Sequence, residues 1–271
     1  MSALSMKVAA IQMVSVDDVA ANLAQAAPLL DEAAREGATL ALLPENFGYM
    51  GKRASDRYAV REQEGTGPQQ DFLADSARRH RMIIIGGSVP IDCGDPARVK
   101  QTLLAYGADG KRIARYDKIH LFRFTHGSED YDEARQISAG AVPVTLATPA
   151  GRVGLSICYD VRFPELYRSQ GDLALIVVPS AFTARTGAAH WHLLLRARAV
   201  ENQCYVLAAA QGGTHPGGRQ TYGHSLLVDP WGEIVAERVE EGPGVAVGAI
   251  DPARIASVRE SLPAFAHRTL R

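Results

Sequence analysis

Two side chains in this 271-residue sequence stand where nucleophilic chemistry could be built: the thiol of Cys158, at the exit of the apolar run VGLSICYD, and the carboxylate of Glu45, at the end of TLALLPE. A free thiol has a pKa near about 8.5, so only a few per cent is thiolate at neutral pH and a nucleophilic role needs an adjacent base or cation. Glu45 directly follows Pro44 at the mouth of a buried strand. Desolvation there should push its pKa upward, toward the range useful for general acid–base work. Each residue also has an ordinary use, Cys158 as a small buried hydrophobe and Glu45 as a loop cap. Lys118, in RYDKIHLF, is a third candidate that by itself reads as a solvated lysine at a strand edge. A cysteine–histidine pair is an alternative, with His120 and His190 as possible partners, although no spacing favours it. Cys204, in ENQCYVLAAA, fits a buried structural cysteine, and Cys93 lies in a Gly/Pro/Asp loop.

The elements that must position these groups follow from hydropathy. TLALLPE, VGLSICYD and LALIVVPS are apolar almost without alternation, the pattern of strands covered on both faces, and they end in Glu45, Cys158 and Ser180. In open α/β sheets, side chains converge beyond the carboxyl ends of such strands, which would place Glu45 and Cys158 in one crevice. Val19, Leu23, Ala26, Ala27, Leu30, Ala33 and Ala34 recur at helical spacing, with Asp17 as N-cap and Gly37 as terminator; Pro28 predicts a kink or a late helix start. Further helices are expected near 69–80, 164–170 and 187–203, a polar acidic loop over about 125–140, strands flanking Pro149-Ala150-Gly151, and a hairpin turn at Asp229-Pro230-Trp231-Gly232. Strands alternating with helices, plus some hairpins, indicate an α/β layered fold with mixed sheets. The chain shows no repeat or linker, so residues 1–271 read as one domain.

Composition narrows the function class. Lysine and arginine total 29 against 30 acidic residues, with no basic run interleaved with aromatics, so nucleic acid is not an expected partner. Three widely spaced cysteines suggest neither a disulfide framework nor zinc, and a reducing cytoplasm fits them. With no stretch of 18 uncharged apolar residues, neither a membrane span nor a signal peptide is expected.

The motifs LLPEN, YDKIHLF and GLSICYDVRFPELYR, in this order, resemble the Glu-Lys-Cys pattern of the nitrilase superfamily of carbon–nitrogen hydrolases. AHWHLLLRARAVENQCYVLAAAQGG, YGHSLLVDPWGEIVAE and LPAFAHR look like the branch that holds deaminated glutathione amidases, with ω-amidases as close relatives. The resemblance implies a four-layer α-β-β-α sandwich that pairs into a homodimer or larger homo-oligomer. It implies Glu45 as general base, Cys158 as the nucleophile that forms a thioester, and Lys118 with the backbone N–H of Tyr159 as oxyanion donors. It also implies a second glutamate between the Lys and Cys motifs, here Glu133, with Glu129 as the fallback. No metal or organic cofactor is implied. Arg162, four residues beyond Cys158, would hold a substrate carboxylate, with Phe182 and Thr183 as walls; it could instead pair with Asp160 or Glu165. The expected reaction is hydrolysis of a small carboxylate-bearing amide, deaminated glutathione first and α-ketoglutaramate second. An inactive binding module of the same fold is the third reading, against which the joint presence of Glu45, Lys118 and Cys158 speaks. Arg198 should point inward and need a carboxylate; it, Trp191, His224 and Trp231 read as structural.

Overall fold

The computed structural model describes residues 4–127 and 129–269. Two mixed sheets face each other. The first has seven strands and is built on the parallel trio Met6–Gln12, Leu40–Leu43 and Ile83–Gly86, flanked by antiparallel Gly244–Ile250 on one side and Val99–Tyr106 on the other. The second has six strands around the parallel trio Gly151–Leu155, Leu175–Ser180 and Tyr205–Ala210, with antiparallel Thr145–Thr148 and the hairpin Ser225–Val228/Ile234–Arg238 at its edges.

Side-chain alternation divides the interior in two. Val8, Ala10, Leu40 and Leu42 face the second sheet and pack with Val153, Leu155, Val177 and Leu207. Ala9, Ile11, Ala41 and Leu43 point the opposite way, onto Leu29, Leu30 and Ala33 of helix Val19–Arg35 and Leu73 and Ala77 of helix Pro68–His80. On the far side of the second sheet, Trp191, Leu195 and Ala199 of helix Ala184–Asn202 bury against the strands. Helix, sheet, sheet, helix is the expected sandwich, and both central trios are buried along nearly their whole length.

Several local expectations shift. Asp18, not Asp17, caps the first helix, its side chain accepting from the Ala21 N–H at 3.0 Å. The helix does not start late, since it runs from Val19 through Pro28 to Arg35. Pro28 and Ala24, whose carbonyl it leaves without a helical donor, are both exposed, so water can take that acceptor. Gly37 ends the helix at φ +83°, and the Ala38 N–H reaches back to the Ala33 carbonyl. The polar stretch expected as a loop contains an antiparallel hairpin, Arg123–His126 with Glu129–Asp132, followed by a 3-10 turn at Glu133–Arg135. Both strands are four residues long, and the first, with Arg123, Thr125 and His126 exposed, carries a single apolar residue, too little to mark a half-buried strand. Of the residues read as structural, Trp191 is fully buried, whereas Trp231 is 51% exposed on its hairpin turn.

One close approach lies at the exit of strand Leu40–Leu43. Gly87 has φ +39°, and a Cβ there would lie 1.9 Å from the Pro44 carbonyl oxygen. Only glycine lets this turn pass beneath the Pro44–Glu45 exit. Gly87→Ala should therefore cost about 1–3 kcal/mol of stability, measured by urea denaturation; an unshifted midpoint would show that the turn has slack.

Candidate active site

The two parallel trios end at the same place, so the residues just past their carboxyl ends meet. Glu45 leaves strand Leu40–Leu43, Cys158 follows strand Gly151–Leu155, and Ala181 follows strand Leu175–Ser180. Glu45 is buried. Its Oε2 accepts from the Ala181 N–H at 3.0 Å and its Oε1 from Lys118 Nζ at 2.8 Å. Its backbone carbonyl accepts from Gln211 Nε2 at 3.0 Å, which fixes the residue from main chain to tip.

Lys118 is not a solvated edge lysine. Its side chain is 0% exposed, and beside Glu45 its ammonium donates to both oxygens of Glu133, at 3.0 and 2.7 Å. Burial would lower its pKa, but the Glu133 and Glu45 carboxylates more than reverse this and hold it charged, above the ordinary lysine value. Glu133 comes from the 3-10 turn after the hairpin, and its Oε2 also accepts from the Phe122 N–H at 2.7 Å. Glu133, expected as the second glutamate, is thus brought against Lys118; the side chain of Glu129, the fallback, lies outside the described residues.

Cys158 opens the short 3-10 segment Cys158–Arg162 with φ +50°, a left-handed conformation that is strained for a residue carrying a Cβ. Asp160 holds the turn. Fully buried, it accepts from the Ile157 N–H at 2.8 Å, the Tyr116 hydroxyl at 2.7 Å and the His120 N–H at 2.9 Å. It therefore ties the cysteine turn to the segment that carries Lys118. The Tyr159 N–H lies in the first turn of this segment, where donors lack an intrahelical acceptor. His120 gives its ring nitrogen to Asp160 and stacks on Phe163, while His190 meets Arg162, so both candidate histidines are engaged away from the thiol.

The electrostatics correct one expectation. Burial raises the Glu45 pKa, as anticipated, but Lys118 outweighs it through charge and hydrogen bond, and the Cys158 thiol adds a further hydrogen bond. The net shift is downward, so Glu45 stays ionised. The Cys158 pKa moves the other way, raised first by burial and then by the Glu45 charge, with Lys118 offsetting only part. A protonated thiol on an ionised carboxylate is a proton donor and acceptor in place before any substrate arrives. Cys204, the other buried thiol, has its pKa pushed up to about 12 by burial and does not line this pocket.

A narrow pocket of about 20 Å³ sits on Cys158, walled by Tyr159, Arg162, Phe182, Thr183, Thr186 and Arg219. The Arg162 guanidinium lies 5.7 Å from the Tyr159 ring centroid and 5.5 Å from that of Phe182, and it meets His190 Nδ1 at 3.3 Å. Asp160 is already occupied by other donors. Thr183 is both a wall and the N-cap of helix Ala184–Asn202, accepting from the Thr186 N–H at 3.2 Å. Arg198 points inward as expected and finds Glu201 Oε1 at 2.9 Å and the Val161 carbonyl at 2.7 Å. Arg219, Thr186 and the Ala181 N–H were not foreseen. Arg219 and Thr186 lie in polar or helical stretches like many others, and a backbone donor leaves no trace in side-chain patterns. The grouping with metal-ligand spacing among the described residues is His192, His224 and Glu237, outside the Cys158 pocket, and the His224 carbonyl also accepts from the Trp191 indole at 2.9 Å.

The family model for carbon–nitrogen hydrolases matches residues 7–260. The chain belongs to this family. A deaminated glutathione amidase of Synechocystis is 41% identical over 96% of this chain and 97% of its own length. Among solved structures, the Caenorhabditis elegans NitFhit protein superposes with a TM-score of 0.90 at 38% identity, covering 99% of this chain and 66% of that longer one. Saccharomyces cerevisiae Nit3, described as a member of branch 10 of the nitrilase superfamily, superposes with a TM-score of 0.88 at 33% identity, covering 98% and 97%. The chain is thus an amidase-type carbon–nitrogen hydrolase of the nitrilase superfamily. Among the described residues, no helix is long and apolar enough to cross a membrane.

The depressed Glu45 pKa fixes the sign of a pH effect. The carboxylate form, needed to accept the thiol proton, persists as pH falls until the lowered folded pKa is crossed. The acid limb of kcat/KM should therefore lie below about pH 4.3, the ordinary glutamate value, as far as the fold survives there; a limb centred near 6 would show that burial wins over Lys118.

Proposed function

We propose that this chain hydrolyses a small carboxylate-bearing amide through a thioester on Cys158, with deaminated glutathione as the substrate. The observation that carries the reading is the convergence of Glu45, Lys118 and Cys158 from three distant segments, with Lys118 bonded to Glu45, Glu45 and Cys158 lining one pocket, the thiol protonated and the carboxylate ionised. Substrate choice is supported by the name of the 41% identical Synechocystis relative.

Glu45 takes the Cys158 proton as sulfur attacks the amide carbon. The tetrahedral oxyanion forms against the Lys118 ammonium and the Tyr159 N–H, replacing the longest Lys118 contact, 3.0 Å to Glu133 Oε1. Glu133 keeps the ammonium aimed through its other oxygen. Glu45 then passes the proton to the departing nitrogen, the C–N bond breaks, and the acyl group stays on sulfur. Water, deprotonated by the same carboxylate, attacks the thioester; the C–S bond breaks, releasing the acid and restoring the thiol. Arg162, planar and at the pocket wall with Phe182 and Thr183, receives the carboxylate of the α-keto acyl half. The route uses neither metal nor organic cofactor. Residues 1–271 act as one hydrolase domain in the cytoplasm, as a homodimer or larger homo-oligomer, consistent with exposed Leu193, Val200 and Trp231.

Two sets of variants test this. Cys158→Ala should abolish ammonia or amine release, and Lys118→Ala should lower kcat by at least about a hundredfold; near wild-type turnover in purified Cys158→Ala protein would refute the assignment. Arg162→Lys should raise KM for anionic amides and leave neutral ones unchanged, whereas equal changes for both would remove Arg162 from carboxylate binding.

A further inference from the structure

The pocket on Cys158 is not the largest opening at this end of the sandwich. A cleft of about 750 Å³ adjoins it, and Arg219 lines both. The cleft wall carries Lys52, Arg53, Arg57, Arg185 and Arg219, against Asp130 as the one carboxylate among its described lining residues. Lys52 and Arg53 are spent at the rim on Asp17 and Asp56. Arg57 and Arg219 are used differently. Arg57 donates to the Ala54 carbonyl at 2.9 Å and to Gln101 Oε1 at 3.4 Å, and Arg219 donates to the Ala181 carbonyl at 2.8 Å with its guanidinium 5.4 Å from the Tyr131 ring centroid. These acceptors are all neutral. Arg219 Nε is buried without a partner. Two guanidiniums whose hydrogen bonds go to neutral groups leave planar, bidentate donors suited to a carboxylate.

The geometry of amide cleavage gives this cleft a task. An amide has two halves, and the narrow pocket on the sulfur, with Arg162 at its wall for the acyl carboxylate, is taken up by one of them. The other half, which leaves as an amine, must extend through the shared boundary at Arg219 into the larger space. A cleft of this volume holds a dipeptide-sized group with ease. A primary amide, which loses ammonia, would leave it empty.

We infer that the cleft is the leaving-group subsite, and that Arg57 and Arg219 bind a carboxylate carried by the departing amine, so that the preferred substrate is a secondary amide with an anionic tail. This rests on the amidase reading above and adds the direction in which the substrate lies. The Arg57 guanidinium is also within electrostatic reach of Glu133 and Glu45, which places the subsite next to the reacting groups.

The test compares three amides of the same α-keto acyl group: the primary amide, the cysteinylglycine amide, and the cysteinylglycine amide with its terminal carboxylate converted to carboxamide. The wild type should prefer the free carboxylate over the carboxamide by at least about tenfold in kcat/KM, because removing one partner leaves the guanidiniums without their anion. That ratio should fall toward one in Arg57→Gln and in Arg219→Gln, and Arg57→Lys should keep part of it. A ratio within one protein does not depend on how much of it is folded. Turnover of the primary amide with no preference between the two tails would overturn the inference and leave the amidase reading intact. A preference that survives both Gln variants would also overturn it. Failure to cleave any of the three would refute both.

Discussion

A lysine ammonium shut off from water between two carboxylates is the constraint on which the rest of the site depends. Burying one such charge alone would cost several kcal/mol, and Lys118 remains charged only because Glu45 and Glu133 both reach it. The same contact decides the state of everything it touches. It pulls the Glu45 pKa down against the effect of burial, and the resulting fixed negative charge helps hold the Cys158 thiol protonated. The site therefore stores its reactivity as a neutral thiol facing a ready base, instead of an exposed thiolate open to oxidation.

The architecture exists to make that contact. Glu45 and Cys158 come from different sheets, and two parallel trios packed face to face bring their carboxyl ends together. Asp160 joins the cysteine turn to the Tyr116–His120 segment through three donors, while the Ala181 N–H and Gln211 fix both ends of Glu45. None of these supporting groups needs to meet a substrate. They hold a strained cysteine and a buried ion pair in the one arrangement where proton transfer is short.

How much of this could be read from the residues depended on whether the physics was local. Uninterrupted apolar runs announced the buried strands, and Glu45 and Cys158 stood out as polar groups at their ends. Lys118 carried no such mark, because its burial is set by Glu45, 73 positions away, and by Glu133 beyond a hairpin; only the motif resemblance singled it out. The direction of the Glu45 shift was misjudged for the same reason, as desolvation is legible from a strand end and an opposing cation is not. The hairpin at 123–132 escaped notice because its short, mostly polar strands look like a loop. Arg57 and Arg219 read as two of many arginines until the fold placed them along one cleft.

The account stands or falls on a covalent bond to one sulfur. Rapid acid quench of enzyme turning over a saturating α-keto amide, followed by mass spectrometry of the peptide containing Cys158, measures that bond directly. A mass increase equal to the acyl half of the substrate, localised to Cys158 and absent from the Cys158→Ala protein, is the predicted result. Full turnover with an unmodified Cys158 peptide, or an adduct on Cys93 or Cys204 instead, would contradict it.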